Sequence, residues 1–350
     1  MKFGKYTLYS CYGTTANGNT SSVAFGILFG NEDKEGWVQF WKFAKNLHPC
    51  LDNETITIIT DQAKGLIESI REVLPNAVHF HCSYHRRQNI TKYVRGGNVK
   101  YSALWLFNKL VKARSKREID QIKHLHAPFM DNKALKYLNT LPDEQQYPGA
   151  RCDVGAGHPK VFMNMHEASS SVESMNKANN PARARTAVDA VCSTHLLVQM
   201  CSMRYQAKKD EAWKWEDTLT PYGNKLRDAA FEDINYRHYR INIEEGEEKW
   251  ICRVTRLGKG ISERTCFFLK YIEQDSVFGG CSCGLPYTDG VPCHHMVAVV
   301  KSSRIEGLTA SNAMPYWWTA ECWRNQFPVD TNVTCNFDME LLRATPEDGL

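Results

Sequence analysis

The sequence predicts a mixed α/β protein with a small β-rich metal-binding module, and three observations carry that expectation. Strand and helix patterns alternate through the first 85 residues, a basic block of helical pattern follows, and a tight group of cysteines and histidines closes a late β-rich stretch. The 350 residues are 43% hydrophobic and 23% charged, a globular mix long enough for about two domains. No run of about 18 apolar residues is present to cross a membrane, and Met1 to Lys5 lack the apolar stretch of a secretory signal. Thirteen cysteines, an odd number scattered through a large chain, argue against a disulfide framework and for reduced thiols, some of them binding metal.

The elements follow in order. Tyr6–Thr15 is strand-like, Asn17-Gly18 marks a hairpin because both residues tolerate positive φ, and Ser22–Phe29 is the returning strand. Trp37, Phe40, Trp41, Ala44 and Leu47 recur at helical spacing. Thr55–Thr60 is a β-branched run of the buried parallel kind, with Asp61 at its end. Leu66, Ile67, Ile70, Val73 and Leu74 mark a second amphipathic helix stopped by Pro75, and Ala77–Cys82 is a further strand. Residues 86–141 read as helices, with Leu104, Phe107, Leu110 and Val111 on one face and a Ser115-x-x-Glu118 capping box. Pro142 to Pro159 reads as a connection. A later stripe of Val188, Val191, Cys192, His195, Leu196, Met200 and Met203 reads as core packing, and Trp250–Arg256 and Thr265–Ile272 as strands.

Net charge is only +4, but its distribution is uneven. Arg86 to Lys123 carries eleven Lys/Arg against Glu118 and Asp120, a net +9, and Glu306 to Leu350 is net −5. A basic block in a folded domain suits a phosphate backbone, and equally suits a solvated helix surface. The residues that would meet nucleic acid are Arg86, Arg87, Lys92, Arg95, Lys109, Lys112, Arg114, Lys116 and Arg117.

The strongest local signal is Cys281-Ser-Cys283-Gly-Leu-Pro-Tyr-Thr-Asp-Gly-Val-Pro-Cys293-His294-His295. Zinc takes four thiolate or imidazole ligands in a tetrahedron. Gly279, Gly280 and Gly284 allow the tight backbone that lets two cysteines one residue apart face one ion. Pro292 precedes a helix, Cys293 to Lys301, whose first turn supplies the rest. The pattern resembles the SWIM zinc finger. That resemblance assigns Cys281, Cys283, Cys293 and His295 as the ligands of a structural zinc, with His294 one register away, and implies binding to DNA or to protein.

Asp61 at a strand end, then helix, Pro75, strand and Cys82-x-x-His85, resembles the Mutator-like element (MULE) transposase domain. The segment Ser170-Ser171-Val172-Glu173-Ser174-Met175-Asn176 is similar to the context of that family's glutamate. The resemblance implies an RNase H-like domain with a helical insertion, DNA as partner, a nuclear location, and Mg²⁺-dependent phosphodiester cleavage and strand transfer. Asp61 and Glu173 are the matched carboxylates, hard oxygen ligands for Mg²⁺, with Cys82 and His85 shaping the site. Asp61 also suits a helix cap, and Glu173 a capping box with Ser170. A second metal site from His79, His81, Cys82 and His85 is disfavoured, because alternation puts Cys82 opposite the two strand histidines.

The family's first catalytic Asp lies on the first strand of the sheet. No Asp precedes Tyr6, and five residues are too few for that strand, so the triad is incomplete and a truncated copy or incomplete gene model is expected. The organisation expected is residues 1–85 as the first part of the transposase domain and 86–158 as helical insertion and connection. Residues 159–240 are its later helices, 250–304 the zinc finger and 305–350 an acidic tail. Two functions are compatible: a Mutator-like transposase or its remnant, and a non-catalytic DNA-binding regulator or protein-interaction module on the same domains.

Overall fold

A computed structural model describes residues 2–3, 6–63, 65–93, 97–130, 132–151, 175, 177–179, 190–258, 263–270, 277–302 and 304–328. Glu173, Arg95, the connection beyond Arg151 and the end of the chain lie outside them.

The N-terminal part is α/β. Strands β2 (Tyr6–Thr14) and β3 (Thr20–Phe29) form an antiparallel hairpin. Its turn closes where expected, with Gly18 at φ 72°. A two-residue strand β1 (Lys2–Phe3) pairs antiparallel with β2 through Lys2↔Thr7 and Phe3↔Tyr6. The five opening residues are too few for the Asp-bearing first strand of the resemblance, and this two-residue strand contains no Asp. Strands β4 (Thr57–Thr60) and β5 (Val78–His81) pair in parallel as a separate two-stranded sheet.

Helices α1 (Lys34–Leu47) and α2 (Leu66–Val73) join the two sheets through one core that includes Tyr9, Ala24, Phe40, Trp41, Ala44, Ile58, Leu66 and Ile70. Helix α1 starts because the Asp33 carboxylate accepts the Gly36 N–H at 2.8 Å, a cap that contributes about 1 kcal/mol. Its aromatic face then packs edge-on against the hairpin, with Tyr9 and Trp37 rings 4.8 Å apart.

Four helices follow: α3 (Ser83–Tyr93), α4 (Gly97–Lys112), α5 (Lys116–His126) and α6 (Asn132–Leu138). Ile90, Ala103, Leu106, Phe107, Leu110 and Ile119 form their core. The Ser115 cap forms, with Ser115 Oγ accepting from Glu118 N, while Glu118 Oε2 returns its bond one residue earlier, accepting from Arg114 N. The long helix α7 (Ala190–Lys214) and α8 (Pro221–Phe231) come next. Met203, expected in the core stripe, is 74% exposed; α7 buries Leu197 and Ala212 instead.

The C-terminal module is an antiparallel meander, β6 (Tyr239–Glu245), β7 (Lys249–Arg256), β8 (Glu263–Leu269) and β9 (Gly280–Cys281). Strand β6 was not expected, so the module begins near Tyr239 rather than 250. A short helix α9 (Leu285–Asp289) follows, and α10 (His294–Lys301) covers the sheet. The first part of the segment expected as an acidic tail is folded: Ala313, Met314, Trp318, Trp323 and Phe327 are buried, and α11 (Ala320–Asn325) begins at a Thr319 cap. Gln326 accepts the Ala16 N–H and the Thr220 hydroxyl donates to the Ala16 carbonyl, tying this segment and α8 to the N-terminal hairpin.

Candidate metal centre

Two elements bring the four sequence-predicted ligands together. Cys281 sits on β9, Cys283 in the turn behind it, Cys293 at the N-cap of α10 and His295 in its first turn. Their ligand atoms all lie within 4.8 Å of one another. The turn is fixed by the Gly284 N–H donating to the Cys281 carbonyl at 3.0 Å, and by the Cys283 N–H pointing at Cys281 Sγ at 3.5 Å. Gly284 takes φ +80°, and a Cβ there would strike the Arg114 carbonyl at the end of the basic helix α4. The zinc-type turn therefore seats directly on the helical segment.

The spacing fits a tetrahedral ion. His295 Nδ1 stands 3.7 Å from Cys281 Sγ and 3.7 Å from Cys293 Sγ. Zinc–sulfur and zinc–nitrogen bonds of about 2.3 and 2.0–2.1 Å at tetrahedral angles imply an edge of about 3.6 Å. His295, not the neighbouring His294, presents the converging nitrogen. Cys281, Cys293 and His295 are buried and Cys283 is half-buried, so the site is largely withdrawn from solvent. Such a pocket does not hold three thiolates unaided. The neighbouring thiols of Cys281 and Cys293 hydrogen-bond to the Cys283 sulfur and hold it well below the usual thiol range. Hydrogen bonds from Cys266 and Cys283 push Cys281 up, and burial pushes Cys293 up. A divalent cation held there would supply the charge that lets all three ionise.

The other expected site residues gather at the opposite part of the chain. Asp61 follows β4 and Cys82 follows β5, so both stand at the carboxyl ends of adjacent parallel strands, locked by Cys82 N donating to the Thr60 carbonyl at 2.7 Å. His85 is half-buried one turn into α3, and Asn89 of that helix donates to Gln62 beside Asp61. Asp61 Oδ1 accepts the Ala63 N–H at 3.0 Å, the cap-like use of this carboxylate. Among the described residues no further carboxylates group with it into a metal site.

His79 and His81 share one face of β5, rings 4.8 Å apart, as the alternation predicts, and are 6% and 2% exposed. The Thr60 hydroxyl donates to the Asp61 carbonyl at 2.9 Å, so its 2.7 Å contact with His79 Nε2 makes that nitrogen the donor. Burial, with the charges of Arg71 and Arg151, pushes His79 down to about 3. Burial likewise takes His81 to about 4. Both rings are neutral near pH 7.

The expected basic residues divide by environment. Lys92, Lys109, Lys112 and Arg117 are exposed, and Arg87 and Arg114 half-buried. Lys109 and Lys112 share a face of α4 with Trp105, whose ring lies 4.2 Å from Lys109 Nζ. Lys116 Nζ is held by Asp143 at 2.9 Å. Arg86 is 1% exposed, stacked 4.4 Å over Tyr137 and bonded to Thr140, the Tyr137 carbonyl and Gln146. It braces the helices rather than presenting charge at a surface. Sequence reasoning missed Cys266 of β8, whose Sγ is 3.4 Å from Cys281 Sγ, because strand register puts it there and sequence spacing does not.

No curated protein matches this chain. Residues 3–89 match the family model of the MULE transposase domain, a stretch that contains Asp61, Cys82 and His85 and ends within α3, before α4, α5 and the metal cluster. The N-terminal α/β part of the chain is similar to that transposase domain.

Proposed function

We propose that this chain is a DNA-binding protein of Mutator-like transposase ancestry, acting in the nucleus, with an RNase H-like core and a SWIM-type zinc finger. The observation that carries the reading is the family match over residues 3–89, which includes the Asp61 strand end and the Cys82-x-x-His85 turn beside it. The zinc would be held by the Sγ atoms of Cys281, Cys283 and Cys293 and by Nδ1 of His295, and would join β9 to α10 as a structural cross-link. Lys92, Lys109, Lys112 and Arg117, with Arg87 and Arg114 beside them, provide the phosphate-facing charge. Gly284 against Arg114 makes the zinc turn a continuation of the basic segment, available to the same DNA.

Cleavage and strand transfer need carboxylates beyond Asp61 to hold Mg²⁺, and Glu173 is the residue the family resemblance offers. A second reading, a non-catalytic DNA-binding regulator, is favoured by one observation: Asp61 Oδ1 already accepts the Ala63 N–H, the role of a turn cap. Duplex-DNA binding measured from 50 to 200 mM salt tests the shared claim. A steep fall in affinity with salt is expected, and salt-independent binding to protein alone would reject it. Mg²⁺-dependent nicking of terminal-repeat DNA, abolished by Asp61→Asn, would select the transposase over the regulator.

A further inference from the structure

A fourth sulfur, that of Cys266, lies beside the three sulfurs and one nitrogen of the metal cluster. Cys252, Cys266 and Cys281 stand in one row across β7, β8 and β9, as register partners Cys252↔Cys266 and Cys266↔Cys281. Partners in a row share a face of the sheet, and all three are 0% exposed on the side that α10 covers. Cys266 Sγ is 3.4 Å from Cys281 Sγ, close to the sulfur–sulfur edge of about 3.8 Å that two thiolates on one zinc would show. Cys266 and Cys283 each come within hydrogen-bonding reach of both Cys281 and Cys293. The Cys281–Cys293 pair thus has a sulfur available on two sides: half-buried Cys283 in the turn, and fully buried Cys266 on the strand.

We infer that Cys266 is a reserve ligand of the metal centre, able to replace Cys283 while Cys281, Cys293 and His295 stay in place. The exchange needs no change in fold, because Cys266 is anchored by β8 pairing on both sides and already lies against two of the ligands. It breaks one metal–sulfur bond and forms another, with the proton of the incoming Cys266 thiol passing to the departing Cys283 sulfur, so charge and atoms balance. The exchange protects the cluster where it is weakest. Cys283 is the ligand solvent and electrophiles reach first, and the sulfur that substitutes for it is out of their reach.

The inference rests on the cluster holding a zinc-like ion, and its test separates the two claims. The full chain is loaded with Co²⁺, whose thiolate charge-transfer absorption scales with the number of bound sulfurs, in wild type, Cys283→Ala, Cys266→Ala and the double variant. Cys283→Ala is expected to keep one ion per chain at three-thiolate intensity. The double variant is expected to fall to two-thiolate intensity and to bind about 100-fold more weakly. Cys266→Ala should match wild type. A two-thiolate spectrum, or no ion, in Cys283→Ala with a normal wild type overturns the reserve ligand alone. No tetrahedral ion on wild type removes the metal reading and this inference with it. Should Cys283→Ala not fold, iodoacetamide treatment of the zinc-loaded folded protein decides. Alkylation of Cys283 should leave zinc bound when Cys266 is present and release it in Cys266→Ala, and equal release in both overturns the inference.

Discussion

Among the described residues, two buried clusters are built from the same residue types, and one of them converges. On β5, the His79 and His81 rings lie tilted against each other near the Thr60–Asp61 corner, yet they join no group of metal-ligating atoms among the described residues, and the charges nearest the rings include arginines. At β9 and α10, three sulfurs and one imidazole nitrogen from two elements point at a common centre. A histidine-rich strand is therefore not a metal site by composition. Metal binding requires ligand atoms aimed at one point, and in the first cluster a polar contact instead ties His79 to Thr60 on the neighbouring strand.

The largest expected effect tests that contrast. Chelation of the ion, or Cys281→Ser, should unfold the module from Tyr239 to Phe327, with a loss on the order of 10 kcal/mol of binding-coupled stability, and leave the N-terminal α/β part protected. Hydrogen exchange reads this by segment, and equal loss of protection at β4 and β5 would contradict the division.

Acid should find the other cluster. His79 and His81 have folded-state values of about 3 and about 4, below the ordinary imidazole value of about 6.5. The unfolded chain then binds more protons between those limits, so the stability these rings contribute is complete above about pH 6.5 and is lost as pH falls through that window. At pH 5 the loss is about 2 kcal/mol for each ring. Comparing melting at pH 7 and pH 5 in wild type and in His79→Asn/His81→Asn cancels acid release of metal. The variant should show the flatter pH dependence, and identical slopes would contradict the assignment.

Seating of the converging cluster on the helices is tested by Gly284→Ala. The residue holds φ +80° and faces the Arg114 carbonyl, so the added methyl should cost about 2–3 kcal/mol without changing metal stoichiometry. A neutral outcome by denaturant titration would show that the turn does not bear on α4.

The smallest stability effect, and a clear binding one, belongs to the exposed cations. Lys109→Ala and Lys112→Ala should change folding by less than about 0.5 kcal/mol and lower the salt slope of DNA binding by about 0.9 for each lost phosphate contact. Arg86→Ala should do the reverse, destabilising the helices with little change in slope, because its charge is buried against Tyr137 and Gln146.

What the sequence made legible was what local chemistry decides. Asn17-Gly18 sets a hairpin, Ser115-x-x-Glu118 starts a helix, a β-branched run ending at Thr60 is a buried parallel strand, and the Cys281–His295 spacing assembles four ligands. What it hid depends on partners distant along the chain. Strand β6 is polar and forms through its register with β7, Cys266 reaches the cluster through β8–β9 pairing, and Arg86 disappears beneath Tyr137 and Gln146. Met203 lies on the outward side of α7 while its neighbour Cys201 packs against Leu8 and Leu197, and Trp318 and Trp323 are drawn in by residues of the hairpin turn, α7, α8 and the C-terminal module, not by their acidic neighbours. Periodicity records which face is apolar; it does not record what covers it.

Convergence of the Cys281–His295 cluster, alone among the described residues, on one ion is tested most directly by X-ray absorption on the zinc-loaded full chain. The account predicts one zinc per chain with three sulfurs at about 2.3 Å and one nitrogen at about 2.0–2.1 Å. A shell of nitrogen and oxygen alone, or a second zinc on His79 and His81, would contradict it.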